Sequence, residues 1–199
     1  MIYPEEFEEL LESFKKLPGI GNKTAERYVY AINDLDLEIV KNFSNSLLNF
    51  KKNIKKCSIC GHLTNSDVCN ICSNDNRDKN LICVVEDSKS VFMIEKTGKF
   101  NGIYHVLGGL ISPMDDINPD DININSLINS RINNNVKEII LSLSPTVEGE
   151  MTSLYINKRL EGKNVKVSRL SYGLPVNADI EYLDPLTIIR AMDDRKLLS

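Results

Sequence analysis

Four cysteines constrain this chain more than any other feature. Cys57-Ser58-Ile59-Cys60 and Cys69-Asn70-Ile71-Cys72 are two Cys-x-x-Cys knuckles with eight residues between them. Each knuckle offers two thiolates from one tight turn, and zinc takes four soft ligands in a tetrahedron. Four thiolates leave no position open for substrate, so a structural zinc is expected rather than a catalytic one. The competing readings are a redox pair or chance placement, and the doubled knuckle argues against both. A segment of about twenty residues buries no core, so metal binding is expected to supply much of its folding free energy. His62 is expected at the surface or beside the metal shell rather than in it. Cys83 lies inside the apolar run Leu81–Val85 and reads as a buried small hydrophobe.

The rest of the chain organises around that segment. On the amino-terminal side, Phe7, Leu10, Leu11 and Phe14 fall at helical spacing within Glu5–Lys16. Leu17-Pro18-Gly19-Ile20-Gly21 breaks that helix, and further helices are expected over about Lys23–Asn33 and Leu37–Ile54. After Arg77 apolar runs alternate with helical or loop stretches: Leu81–Val85, Gly102–Val106, Glu138–Leu143 and Asn164–Arg169. Such alternation predicts an α/β unit with a mainly parallel sheet. The Asn- and Ile-rich stretch Ile117–Asn135 reads as compositional drift with one short helix. Gly173-Leu174-Pro175 opens a tail with an expected strand and a helix over about Pro185–Arg195. The boundaries read from these shifts are 1–53, 54–77, 78–173 and 174–199.

Charge and hydropathy bound the partners. No basic region with an apolar run follows Met1, and the longest solid apolar run is five residues, so a cytoplasmic protein without membrane contact is expected. Net charge is −4, which argues against a uniformly DNA-coating surface. Yet Lys15–Lys56 holds nine Lys/Arg against four Asp/Glu, while Asp115, Asp116, Asp120 and Asp121 make the middle acidic. A basic end on an acidic protein points to localised contact with an anionic polymer; a solvated helix face is the alternative.

Leu17–Ala25 matches the turn of a helix-hairpin-helix. Its two glycines permit a sharp turn and close backbone approach to a ligand. Free N–H groups at the start of the following helix make a ready phosphate site. Lys23 and Arg27 are four residues apart, hence on one face beside it. Contacts of this kind give affinity without reading sequence. Further on, Glu86 and Asp87 directly follow one apolar strand, and Glu148-Gly149-Glu150 follows another after a short loop. Functional groups collect at the carboxyl ends of parallel strands. Converging acids there would hold Mg²⁺ or shift one another's protonation; solvated loop acids are the alternative. Gly149 is expected to keep that turn open. His62 and His105 lack any nucleophile context, and His105 reads as structural.

The order of these parts resembles the RecR family of bacterial recombination mediators. The likeness spans nearly the whole chain and rests on Leu17–Gly21, the cysteine block, Arg77-Asp78, Ile82–Asp87, Tyr104–Gly109, Pro145–Glu150 and Gly173-Leu174-Pro175. It implies a helix-hairpin-helix, a small four-cysteine zinc finger, an α/β Toprim domain of mainly parallel strands and a carboxy-terminal tail that packs on a neighbouring subunit. It also implies a ring-shaped homotetramer, Lys23 and Arg27 as DNA-binding residues, and Glu86, Glu148 and Glu150 as the Toprim acids. DNA, RecO and RecF are the implied partners, and the implied task is loading RecA recombinase at single-strand gaps. Toprim enzymes usually carry an Asp-x-Asp pair, whereas this chain has Glu148-Gly149-Glu150 and no nucleophile beside it. The acids are therefore read as an interaction site or a weak Mg²⁺ site, and the chain as no enzyme. A Toprim-type Mg²⁺-dependent nuclease is the alternative, and a zinc-dependent scaffold that binds only protein is a third reading. The zinc segment, lying in sequence between hairpin and α/β unit, is expected to act as a rigid joint.

Overall fold

Three helices account for the amino-terminal part of the chain: α1 (Glu5–Lys15), α2 (Asn22–Asn33) and α3 (Leu37–Asn53). The computed structural model describes residues 2–132, 135–171 and 173–195. The chain divides into two compact units, Met1–Ile54 and Lys55–Ser199.

In the first unit, α1 starts with Glu5, Glu6 and Glu8 and ends with Lys15, a charge order that complements the helix dipole. It packs on α2 through aromatic edges. Phe7 meets Tyr30 at 5.2 Å between ring centroids, and Phe14 meets Tyr28 at 5.5 Å. Tyr3 stacks on Phe7 and its hydroxyl donates to Glu26. Gly19 sits at φ +81°, a conformation that glycine adopts without strain, and it turns the chain from α1 into α2. Ala25 and Val29 are the buried residues of this unit among those described. Helix α3 has none, and it leaves Phe43, Leu47 and Phe50 about half exposed or more.

The second unit opens with the short antiparallel pair β1 (Lys55–Lys56) and β2 (Leu63–Thr64). The remaining strands are β3 (Asp78–Val85), β4 (Gly102–Val106), β5 (Glu138–Ser142) and β6 (Lys166–Arg169). They form one sheet in the order β4-β3-β5-β6, every pair parallel. Helix α4 (Ser88–Lys96) follows β3, and α6 (Val147–Leu160) follows β5. A short α5 (Ile124–Ser126) runs into a π-helical turn over Leu127–Arg131.

Successive residues of β3 face opposite sides, and both sides are covered. Ile82 and Val84 join Ile139, Leu141, Ile156 and Leu160 in the larger core. Cys83 and Val85 join Val91, Tyr104 and Val106 in the smaller one, with Ile71 of the finger packed against them. The finger is thus fused to the sheet rather than hung beside it.

Three expectations need correction. The stretch 117–135 is not compositional filler: Ile122, Ile124, Leu127 and Ile128 are buried in the larger core together with Ile156 and Leu160 of α6. Asn133 and Asn134 of that stretch lie outside the described residues. The tail carries α7 (Pro185–Asp193), but the strand expected before it is absent among the described residues. Pro175 lacks a backbone donor for a strand ladder and Asn177, at φ +66°, interrupts the extended path, and the segment makes a 3₁₀ turn at Ile180–Tyr182 instead. Finally, β6 begins at Lys166 because a turn at Gly162, φ +79°, takes up the residues before it.

Candidate functional site

The two knuckles fold each thiol pair around a tight turn. Gly61 donates its N–H to the Cys57 carbonyl at 3.0 Å, and Ser73 donates to the Cys69 carbonyl at 3.1 Å. Ser58 N–H to the Asp67 carbonyl, 3.0 Å, holds the knuckles face to face. The four sulfurs then lie within 4.8 Å of one another, with Cys60 and Cys69 at 3.6 Å. A tetrahedron with Zn–S near 2.3 Å has edges of about 3.8 Å, so this donor set fits zinc. Among the described residues it is the one group of three or more potential ligands gathered closely enough to share an ion.

Burial pushes the Cys57 thiol up, but N–H groups of Cys69, Cys60 and Ile59 outweigh it and bring the thiol down to about 7. A hydrogen bond shared with Cys72, and then burial, pushes Cys60 up, and burial does the same to Cys69. Metal binding therefore competes with protons at these sulfurs. His62 is not at the surface: it is 5% exposed, its ring edge-to-face with Phe92 at 4.8 Å. It packs the finger onto α4 and stands outside the ligand set.

The finger is anchored by backbone as well as by packing. Val106 of β4 donates its N–H to the Cys60 carbonyl at 2.8 Å, and Leu63 of β2 donates to Ser88 Oγ at 3.1 Å. A Cβ on Gly61 would stand 3.0 Å from the Val106 carbonyl, so the first knuckle reaches β4 because residue 61 is glycine, at φ +77°.

At the carboxyl end of the sheet, β3 connects outward to β4 and β5 connects the other way to β6, so the crevice between β3 and β5 is the topological switch point. Glu86 is there, and its carboxylate accepts from Ser144 Oγ at 2.6 Å across the crevice. Asp87 is turned away: it caps α4, accepting from Ser90 N at 3.0 Å, and that bond holds its carboxyl below the usual range. Glu148 and Glu150 occupy the first turn of α6, capped by Thr146, whose hydroxyl accepts from Gly149 N at 3.2 Å. Two residues along a helix are about 200° apart, so Glu148 and Glu150 diverge. Glu150 pairs with Arg169 of β6 at 3.3 Å. The three acids border one end of the sheet without gathering around one point.

Gly149 has a different role from the one expected. It is buried in the helix, and a Cβ there would stand 1.9 Å from the Ser144 carbonyl oxygen. The residue lets the β5–α6 loop close onto its own helix. Ser144 and Arg169, which hold two of the acids, were not singled out from sequence; a serine after a strand and an arginine in an edge strand carry no motif.

In the hairpin, Lys23 and Arg27 are both exposed on α2, and no side chain caps that helix at Gly21. The Arg27 guanidinium lies 5.6 Å from the Tyr28 ring centroid.

A helical hairpin unit, a four-thiol finger and a four-stranded parallel sheet with acids at its carboxyl end define a Toprim protein with a zinc finger and a helix-hairpin-helix. Four family models match the chain: RecR, helix-hairpin-helix, over residues 7–50; RecR, four-cysteine zinc finger domain, over 54–74; Toprim domain, over 80–171; and RecR, C-terminal, over 173–196. The chain belongs to the RecR family. Its finger is a structural zinc site, and its role lies in recombinational DNA repair. No helix among the described residues is long and apolar enough to cross a membrane.

Proposed function

We propose that this chain is a non-enzymatic DNA-binding mediator that, with RecO and RecF, loads RecA recombinase at single-strand gaps. The observation that carries the DNA-binding part is the hairpin. Lys23 and Arg27 stand one helical turn apart on the exposed start of α2, whose first N–H groups have no side-chain cap. Phosphate suits such a place because donors, dipole and two cations act together. Glu86, Glu148 and Glu150 serve as an interaction or weak Mg²⁺ site. Engagement of Glu86 by Ser144 and of Glu150 by Arg169 favours this over metal-dependent cleavage. RecR chains acting on DNA as a homotetrameric ring in the cytoplasm complete the reading.

The test is a loading assay with RecO, RecF, RecA and single strands coated by single-stranded-DNA-binding protein. Acceleration of filament formation is expected, and none with the complete set would overturn the mediator role. Incubation with labelled DNA and Mg²⁺ or Mn²⁺ addresses the nuclease alternative: cleavage lost in Glu148→Gln would establish it.

A further inference from the structure

A pocket of about 530 Å³ lies within the second unit, where the finger meets the start of α4 and the end of β4. Leu63, Phe92, Val106 and Leu107 give it apolar walls, and Lys56 and Lys89 stand on its border. Phe92 is 50% exposed although its ring edge is held by His62. Lys56 has no ion-pair partner among the described residues, and its Nζ reaches to 3.9 Å from where a Cβ on Gly108 would stand. The pocket is distinct from the crevice that holds Glu86 and Ser144, since neither residue lines it.

The polar side chains in its wall are already engaged. Ser88 Oγ accepts from Leu63 N, Asn123 Nδ2 donates to the Val106 carbonyl at 3.2 Å, and Asp87 caps α4. Little is left to hydrogen-bond the edge of a nucleobase, and one aromatic ring among aliphatic walls is a poor stacking platform for successive bases. What the surface offers is an apolar seat with cations beside it. We propose that this pocket docks an acidic protein segment, inserting an aromatic or branched apolar side chain against Phe92 while adjacent carboxylates meet Lys56 and Lys89. Such a seat gives the apolar anchor and charged rim that peptide recognition uses.

The experiment uses zinc-loaded protein and a fluorescein-labelled octapeptide of alternating Asp and Phe, read by anisotropy, beside the same peptide with Lys for Asp. The acidic peptide is expected to bind and the basic one not. Phe92→Ala and Lys89→Glu are each expected to weaken binding at least about fivefold, with the bound zinc retained as a check on folding. Lys89 is exposed at the start of α4, so Lys89→Glu serves even if Phe92→Ala loses its finger. Lys23→Ala with Arg27→Ala is expected to leave peptide binding unchanged, which separates this site from the hairpin. The proposal fails if the acidic peptide does not bind, if both peptides bind alike, or if neither pocket variant weakens binding. It fails equally if Phe92→Ala and Lys89→Glu weaken oligothymidylate binding and not peptide binding, which would make the pocket a single-strand site.

Discussion

Single residues carry more of this structure than their type suggests. Gly149 lies in the first turn of α6, where glycine ordinarily costs about 1 kcal/mol relative to alanine. Propensity alone would make Gly149→Ala stabilising. Space decides otherwise, because the added methyl would stand 1.9 Å from a backbone oxygen that has no rotamer to escape into. The substitution is expected to destabilise by about 2–3 kcal/mol, read as a lower urea midpoint. His105 illustrates the same dominance of surroundings. It is fully buried, its Nε2 lies 2.7 Å from the Asn123 carbonyl oxygen, and burial holds its imidazole down at about 4. The unfolded chain therefore takes up a proton near pH 6.5 that the folded chain refuses until about pH 4. The stability contributed by neutral His105 is full above that window and falls as pH drops through it, by about 2 kcal/mol at pH 5. His105→Gln, compared with the parent in urea titrations at saturating zinc, is expected to remove that slope; an identical slope would assign the acid sensitivity elsewhere.

At the scale of elements, the finger and β4 act as one piece. The Val106 N–H that a free edge strand would leave to water is bonded to the Cys60 carbonyl, and Ile71 packs on the core around Cys83 and Val85. Stripping zinc by chelation should therefore loosen β4 together with the finger. Hydrogen exchange is expected to speed at Val106 and to stay slow at Ile139 and Leu141, which pair with β3 deeper in the sheet. Uniform loss of protection would mean that the metal holds the whole unit. Much of this architecture was legible in the chain: the knuckles declared the metal, the alternation of apolar runs declared the parallel sheet, and Leu17–Gly21 declared the hairpin. The rest turned on contacts distant in sequence. Nothing near Glu86 announces Ser144, and nothing in Arg77 announces its bidentate pairing with Glu95, to which Tyr104 donates at 2.7 Å. The buried isoleucines of 117–135 were hidden by the asparagines between them, since a core-lining loop has no period to recognise.

For the whole molecule, the exposed apolar surface argues about assembly. On α3, Ile39, Phe43, Leu47 and Phe50 recur at spacings of four, four and three and are 48–62% exposed. On α7, Leu186, Ile189 and Met192 recur every three residues and are 56–61% exposed. Stripes of this kind are the faces by which helices pack. A chain with one self-complementary patch stops at a dimer. A chain with two carries each dimer onward, and the two contacts close at four subunits when their twofold axes meet at right angles. The two stripes, one in each unit, are expected to supply the two contacts of the proposed ring of four RecR chains. Phe43→Glu with Leu47→Glu should remove one contact, and Ile189→Glu the other, each leaving a dimer by light scattering; all three together should leave a monomer. Salt-dependent DNA affinity gives the second readout. Phosphate contacts at Lys23 and Arg27 release counterions, so binding should fall steeply with salt, and Lys23→Ala with Arg27→Ala should weaken it alike across sequences and flatten the slope by about 2 per chain engaged. In the dimers that slope should fall in proportion to the number of hairpins held on one DNA, because each subunit brings the same two cations. A slope unchanged between tetramer and dimer would mean that only one pair of hairpins grips DNA at a time, and the ring would then have to serve partner binding rather than grip.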